Sequence, residues 1–165
     1  MKVLALGGSG GMGRFSSYAI SNYTNVTKVT IADLNEANAK EFSNHFDDRF
    51  NGIGLDVTDK EHLEKVMSDH DIVLNTTGPF FKFGLPILKS AIKCKCHYFD
   101  ICDDWEPTEE MLKLNDEALK NDITAIVGLG ASPGISNLLG LKAMNELDET
   151  ESIITGWDVS SAKPE

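Results

Sequence analysis

Long apolar runs are missing from this sequence of 165 residues. None approaches the roughly 20 consecutive residues that a helix needs to cross a bilayer, so a membrane partner is not expected. Cysteine is scarce. Cys94, Cys96 and Cys102 form an odd set without scaffold-like spacing, which suits reduced thiols in a cytoplasmic protein rather than a disulfide framework. Basic stripes are absent as well. The chain carries 15 basic and 26 acidic residues, a net charge of −11. Its lysines and arginines stand singly, so nothing tracks a phosphate backbone and nucleic acid is not an expected partner. There is no G-x-x-x-x-G-K-[ST] loop, and with it no Walker-type site. Tyr18, Tyr23 and Tyr98 are followed four residues later by Asn22, Thr27 and Cys102. The tyrosine–lysine pair of catalytic short-chain reductases is therefore absent. The first residues do not have a signal-peptide layout either, because Val3–Leu6 runs directly into glycines.

Glycine is what the beginning has in quantity. The stretch "GGSGGMG" fits G-x-G-x-x-G with Gly8, Gly10 and Gly13, and equally G-x-x-G-x-x-G with Gly7, Gly10 and Gly13. The acid Asp33 and the missing tyrosine–lysine pair favour the first register, in which Gly8 permits a strand-to-helix turn, Gly10 admits a pyrophosphate and Gly13 lets helix pack on strand. Gly7 is then the last residue of the strand. A helix starting near Gly11 offers free N–H groups and a positive dipole end to phosphate. Asp33, in "VTIADLN", follows Gly13 by about 20 residues, where a dinucleotide fingerprint has an acid for the adenosine ribose. Leu34 and Asn35 follow it with no arginine for a 2′-phosphate, which favours NAD and leaves NADP open. Asp33 can alternatively cap the next helix, with Asn35 as competitor.

Short apolar runs alternate with helical periodicity along the rest of the chain. Strands are expected over Val3–Leu6, Lys28–Ala32, Gly52–Val57, Ile72–Asn75, His97–Ile101 and Ile123–Val127. Met12, Phe15, Ala19 and Ile20 mark one helical face, and Ala39, Phe42 and Phe46 another. Thr58–Glu61 reads as a capping box. Pro86 and Pro107 suit the first turns of two further helices, and another is expected from Pro133 to about Leu147. The implied fold is α/β, a Rossmann-type doubly wound parallel sheet with helices on both faces and a crevice at the strands' carboxyl ends. Residues 1–148 make up the cofactor domain in this reading. The stretch "IITGWDVSSAKPE" looks like a strand without a partner, so 149–165 reads as the start of a second domain for substrate and dimerisation.

Loops after the strands carry the remaining candidates. Asp56 and Val57 stand where adenine would lie, although Asp56 equally suits a helix cap. Thr76, Thr77, Gly78 and Pro79 follow Asn75 with small side chains that let the cofactor approach, or form a plain turn. Cys94, Cys96, His97 and Cys102 lack a C-x-x-C pair, which points to buried thiols rather than zinc. Asp100 and Asp103 can orient a cationic amine or be solvated carboxylates. Ser132, Pro133 and Gly134 read as a capped helix start, with or without a ligand contact. His45, His62 and His70 are placed on surface helices or turns.

Four stretches, "GGSGGMGR", "VLNTTGPF", "HYFDICDD" and "GLGASPGISNLL", together resemble the N-terminal part of saccharopine dehydrogenase-like oxidoreductases, the group with saccharopine reductase and carboxynorspermidine dehydrogenase. The resemblance covers residues 1–150. It implies that Gly8, Ser9, Gly10, Gly11, Met12 and Gly13 hold pyrophosphate, and that Asp33 holds the adenosine ribose. It also implies that Asp56 and Val57 face adenine, and that Thr76, Thr77, Gly78 and Pro79 flank the nicotinamide. The implied activity is NAD(P)-dependent oxidation or formation of a secondary amine joining amino-acid or polyamine fragments. The partners it implies are a small-molecule substrate and, in the full-length protein, a second copy in a homodimer. It names no catalytic acid. A non-catalytic dinucleotide-binding redox sensor, related to atypical short-chain reductases, is the alternative.

Overall fold

The computed structural model describes residues 1–156. Strands and helices alternate as β1 (Lys2–Leu6), α1 (Gly11–Ser21), β2 (Lys28–Asp33), α2 (Glu36–Ser43), β3 (Phe50–Gly54), α3 (Lys60–Met67), β4 (Ile72–Asn75), α4 (Phe80–Cys94), β5 (His97–Asp100), α5 (Trp105–Leu112), α6 (Asn115–Lys120), β6 (Ala125–Ile126) and α7 (Ile135–Asn145). The strands form one sheet in the order β3-β2-β1-β4-β5-β6, and each neighbouring pair is parallel. This is the doubly wound Rossmann arrangement. The winding reverses between β1 and β4, which opens a crevice at their carboxyl ends.

Alternating side chains divide the core between the two faces of the sheet. Leu4, Leu6, Val73 and Tyr98 pack with Leu63, Met67, Ile87 and Leu88 beneath α3 and α4. Val3, Val29 and Ile31 pack with Ala39 and Phe42 on the opposite face. Helix α1 departs from its periodicity: Met12 and Phe15 are 53% and 75% exposed, and its buried residues are Gly13 and Ser17. Small residues face the sheet because the helix lies so close to it. A Cβ on Gly13 would stand 2.2 Å from the Gly7 carbonyl oxygen.

Several boundaries move for local reasons. Strand β3 stops at Gly54 rather than Val57, because Asp56 Oδ1 accepts from the Thr58 N–H at 2.8 Å and turns the chain. Asp59, not Thr58, caps α3 by accepting from the His62 N–H. Helix α4 starts at Phe80, ahead of Pro86, which lies inside it. The buried Phe80 anchors the early start, and the Phe81 N–H donates to Asp104 Oδ2 at 3.1 Å. Strand β6 shrinks to Ala125–Ile126, partly because the Thr124 N–H goes to His97 Nδ1 at 2.9 Å. Helix α7 starts after Gly134, at φ +114°, not at Ser132–Pro133. The Ile135 N–H instead reaches back to the Gly130 carbonyl. Residues 152–156 form no strand, and the rest of the expected final strand lies outside the described residues.

Candidate cofactor site

Strand β1 ends at Leu6, so Gly7 belongs to the turn and not to the strand. Its φ of +66° is a left-handed conformation that glycine adopts without strain. The Gly7 carbonyl accepts the Gly10 N–H at 3.0 Å, and the Gly10 carbonyl accepts the Arg14 N–H at 2.9 Å. Gly10 is thus the N-cap of α1, with no side-chain cap. The first-turn N–H groups of α1 have no intrahelical acceptor, and the helix dipole adds positive potential there. Both glycine registers are in use: Gly7 for its backbone, and Gly8 and Gly13 for close packing. A Cβ on Gly10 would meet only the Gly7 carbonyl, at 3.3 Å, so its outer side stays open to a ligand.

The carboxyl end of β2 carries Asp33 next to this turn. Ser9 Oγ donates to Asp33 Oδ2 at 2.6 Å, and the Asn35 N–H donates to Oδ1 at 3.2 Å. Asn35 rather than Asp33 caps α2, through the Asn38 N–H. Asp33 therefore keeps acceptor capacity for a ligand. Asp56 lies past the end of β3, its Oδ1 held by the hydroxyl and N–H of Thr58, which lower its pKa. Val57 is half-buried and lines a groove with Leu63, Phe83 and Leu85, between α3 and α4.

Beside β1, the end of β4 closes the other side of the turn. The Thr76 N–H and hydroxyl both donate to the Leu6 carbonyl, at 2.9 and 2.8 Å. The Thr77 N–H donates to Asn75 Oδ1 at 3.0 Å, whereas its buried hydroxyl has no protein partner. Gly78 and Pro79 are exposed. Beyond them a cleft of about 580 Å³ is lined by Met12, Phe80, Ile101, Asp103 and the Gly130–Pro133 segment.

Of the two substrate-side acids, only Asp103 faces this cleft. Asp100 is fully buried. Its Oδ1 accepts N–H bonds from Cys102 at 3.0 Å and Gly128 at 2.8 Å, and Oδ2 accepts from the Tyr98 hydroxyl at 2.8 Å. Asn75 Nδ2 in turn donates to the Tyr98 oxygen at 3.0 Å. Burial raises the Asp100 pKa against the pull of these donors, and burial also pushes Tyr98 well up. Asp100 therefore ties the ends of β4, β5 and β6 together and is not available to a substrate. Cys96 and Cys102 are fully buried too; burial pushes the Cys96 thiol up to about 11.

The residues present fit a dinucleotide. An open glycine cradle, an acceptor at Asp33 and an unpartnered Thr77 hydroxyl lie at the carboxyl ends of neighbouring strands, on both sides of the reversal point. Reasoning from the sequence missed Arg14, whose Nε donates to the Ser9 carbonyl at 2.7 Å. No local pattern announces an arginine that folds back on its own helix start.

Comparison with known proteins agrees with this geometry. The family described as saccharopine dehydrogenase NADP binding domain matches residues 3–126. The chain belongs to that family. Saccharopine dehydrogenase [NADP(+), L-glutamate-forming] of Saccharomyces cerevisiae is 31% identical over 119 residues, which are 72% of this chain and 25% of the relative. The Schizosaccharomyces pombe protein of the same name is 28% identical over 119 residues, with the same shares. The aligned part is thus a quarter of the length of these relatives. The solved apo saccharopine dehydrogenase (L-Glu forming) of Saccharomyces cerevisiae superposes with a TM-score of 0.74 at 28% identity, covering 88% of this chain and 31% of that one. A dTDP-glucose 4,6-dehydratase from Bacillus anthracis, solved with NAD, shares the fold at a TM-score of 0.57 and 14% identity, over 77% of this chain and 53% of its own. NAD(P) binding through a Rossmann domain follows from the family. Among the described residues no helix is long and apolar enough to cross a membrane.

Proposed function

We propose that residues 1–148 are the cofactor domain of an oxidoreductase that acts on the carbon–nitrogen bond of a secondary amine or imine built from amino-acid or polyamine fragments. NAD is its preferred cofactor. The observation that carries the cofactor preference is Asp33, a carboxylate at the end of β2 that α2 does not use as its cap. It accepts from a ribose 2′-hydroxyl and repels a 2′-phosphate. The matching relatives are named for NADP(+), and the proposed preference departs from them on that point.

In this reading the glycine turn and the start of α1 hold the pyrophosphate, through Gly8, Ser9, Gly10, Gly11, Met12 and Gly13. Thr76, Thr77, Gly78 and Pro79 border the nicotinamide side, while Asp56 and Val57 lie toward the adenine. The bound nicotinamide supplies or takes the hydride. Asp103 places negative charge in the cleft beyond it, where a cationic amine is stabilised. Residues 149–165 lead into a second domain that completes the substrate site and a homodimer. The setting is cytoplasmic amino-acid metabolism.

Titration of the intact protein with NADH and NADPH tests the cofactor part. NADH is expected to bind more tightly by about tenfold, the worth of one charge-assisted contact. Asp33→Ala is expected to erase that preference. If neither nucleotide binds below millimolar concentration, the reading is wrong. Screening amine and keto-acid pairs for NADH oxidation tests the reaction class, and no turnover with any such pair counts against it.

A further inference from the structure

We propose that the side chain of Ser9 is a positioning group for cofactor discrimination, its hydroxyl acting through Asp33 while only its backbone borders the pyrophosphate, with Arg14 holding Ser9 in place. The proposal rests on the reading that Asp33 meets the adenosine ribose. Ser9 is only 7% exposed, and its hydroxyl is engaged by Asp33. Its bond to Asp33 Oδ2 is 2.6 Å long, in the range of a hydroxyl donating to an ionised carboxylate. A hydroxyl has one proton to donate. While Ser9 gives it to Asp33, the side chain cannot donate to a pyrophosphate oxygen.

The backbone of Ser9 is fixed from the other side. Arg14 Nε donates to the Ser9 carbonyl at 2.7 Å, and the guanidinium lies over the Phe42 ring, 4.7 Å from its centroid. Phe42 is 1% exposed and belongs to the core beneath α2. A continuous path of contacts thus runs from the core through Arg14 and Ser9 to Asp33. It joins α2, α1, the glycine turn and β2. With Oδ1 taken by the Asn35 N–H, both carboxylate oxygens are oriented before any ribose arrives.

Preorganisation of this kind has two effects. The acceptor is in place for a ribose hydroxyl without a rotamer cost at binding. The carboxylate also cannot swing away from a 2′-phosphate, so the repulsion that disfavours NADP is kept. Removing the Ser9 hydroxyl relaxes both effects in opposite directions.

The experiment is a titration of the intact protein with NADH and NADPH, for wild type, Ser9→Ala, Ser9→Thr, Asp33→Ala and the Ser9→Ala/Asp33→Ala double variant. Ser9→Ala is expected to lower the NADH/NADPH affinity ratio about threefold, part of the roughly tenfold preference that Asp33 carries, and Ser9→Thr to restore most of it. The double variant is expected to have the ratio of Asp33→Ala alone, because the two residues act as one unit. If Ser9→Ala weakens both nucleotides equally, the hydroxyl contacts the pyrophosphate directly and the proposal falls. Additive effects in the double variant overturn it as well. Should Ser9→Ala fail to fold, Arg14→Gln serves instead: it keeps the Ser9 hydroxyl but loosens its backbone, and an unchanged ratio there overturns the proposal. A wild type without NADH preference refutes the Asp33 reading itself. A wild type that prefers NADH, beside a Ser9→Ala variant that keeps the full ratio, refutes only the role of Ser9.

Discussion

At the scale of single residues, the glycines of the turn differ in what they do. A methyl group on Gly13 would stand 2.2 Å from the Gly7 oxygen and 2.6 Å from the Gly8 Cα, all backbone that cannot move without opening α1 from β1. Gly13→Ala is expected to cost several kcal/mol, on the order of other overpacked sites. Gly10 has an ordinary φ of −75° and one neighbour, at 3.3 Å. Gly10→Ala should therefore fold within about 1 kcal/mol of wild type while losing nucleotide affinity, since the methyl group enters the cradle. Denaturant midpoints and NADH titrations of the two variants check the contrast. The two acids separate in the same way. Asp100→Asn replaces one acceptor of a buried three-donor set with an amide and should cost about 1–3 kcal/mol. Asp103→Asn, at an exposed position, should leave stability unchanged and alter only substrate-side behaviour. Equal denaturation midpoints for both variants would contradict the assignment of Asp100 as a structural tie.

At the scale of elements, the alternation of strand and helix and the doubly wound parallel sheet were legible because they rest on hydrophobic period and on the glycine turn, which are local. What escaped was set by partners distant in sequence. Helix α4 starts before Pro86 because Asp104, at the start of α5, accepts the Phe81 N–H. Asp100 turns inward because Tyr98, Cys102 and Gly128 converge on it. His70, read as a surface residue, is 7% exposed at the end of α3. Its Nδ1 contacts the Val66 carbonyl and its Nε2 the Thr30 hydroxyl, each at 2.8 Å. Since a carbonyl only accepts, Nδ1 carries a proton; Nε2 meets the Thr30 hydroxyl, which itself donates to Asn51 Oδ1 at 3.1 Å. Burial lowers the His70 pKa; nearby Lys28 and Lys2 also disfavour the cation, while Asp69 favours it. A folded-state pKa below the unfolded value of about 6.5 gives stability that is present above that pH and lost as the pH falls through the folded value. Wild type should thus lose stability between pH 7.5 and 5 more steeply than His70→Gln, as urea midpoints at the two pH values would reveal. Parallel slopes would mean that His70 is not the titrating group.

At the scale of the whole molecule, the candidate site belongs to no single element. It draws on the ends of β1, β2, β3 and β4, and its cleft extends to the loop before α7. Only the folded sheet brings these ends together, so a dinucleotide binds the native state and not the unfolded chain. Binding must then raise stability by an amount set by ligand concentration over Kd, about 2.7 kcal/mol at a hundredfold excess. For a chain of this size that is a rise in Tm of roughly 5–10 °C. NADH should produce it at lower concentration than NADPH, and Asp33→Ala should bring the two curves together. Helix α7 has no buried residue, and Leu138, Leu139 and Leu141 are each more than half exposed. Yet it bears none of the proposed cofactor contacts. Leu139→Gln should therefore leave the nucleotide-induced rise intact, whereas Gly10→Ala should abolish it. A rise in Tm that survives Gly10→Ala would place the nucleotide somewhere other than the glycine turn, and the division of labour between turn, β2 and β4 would fall with it.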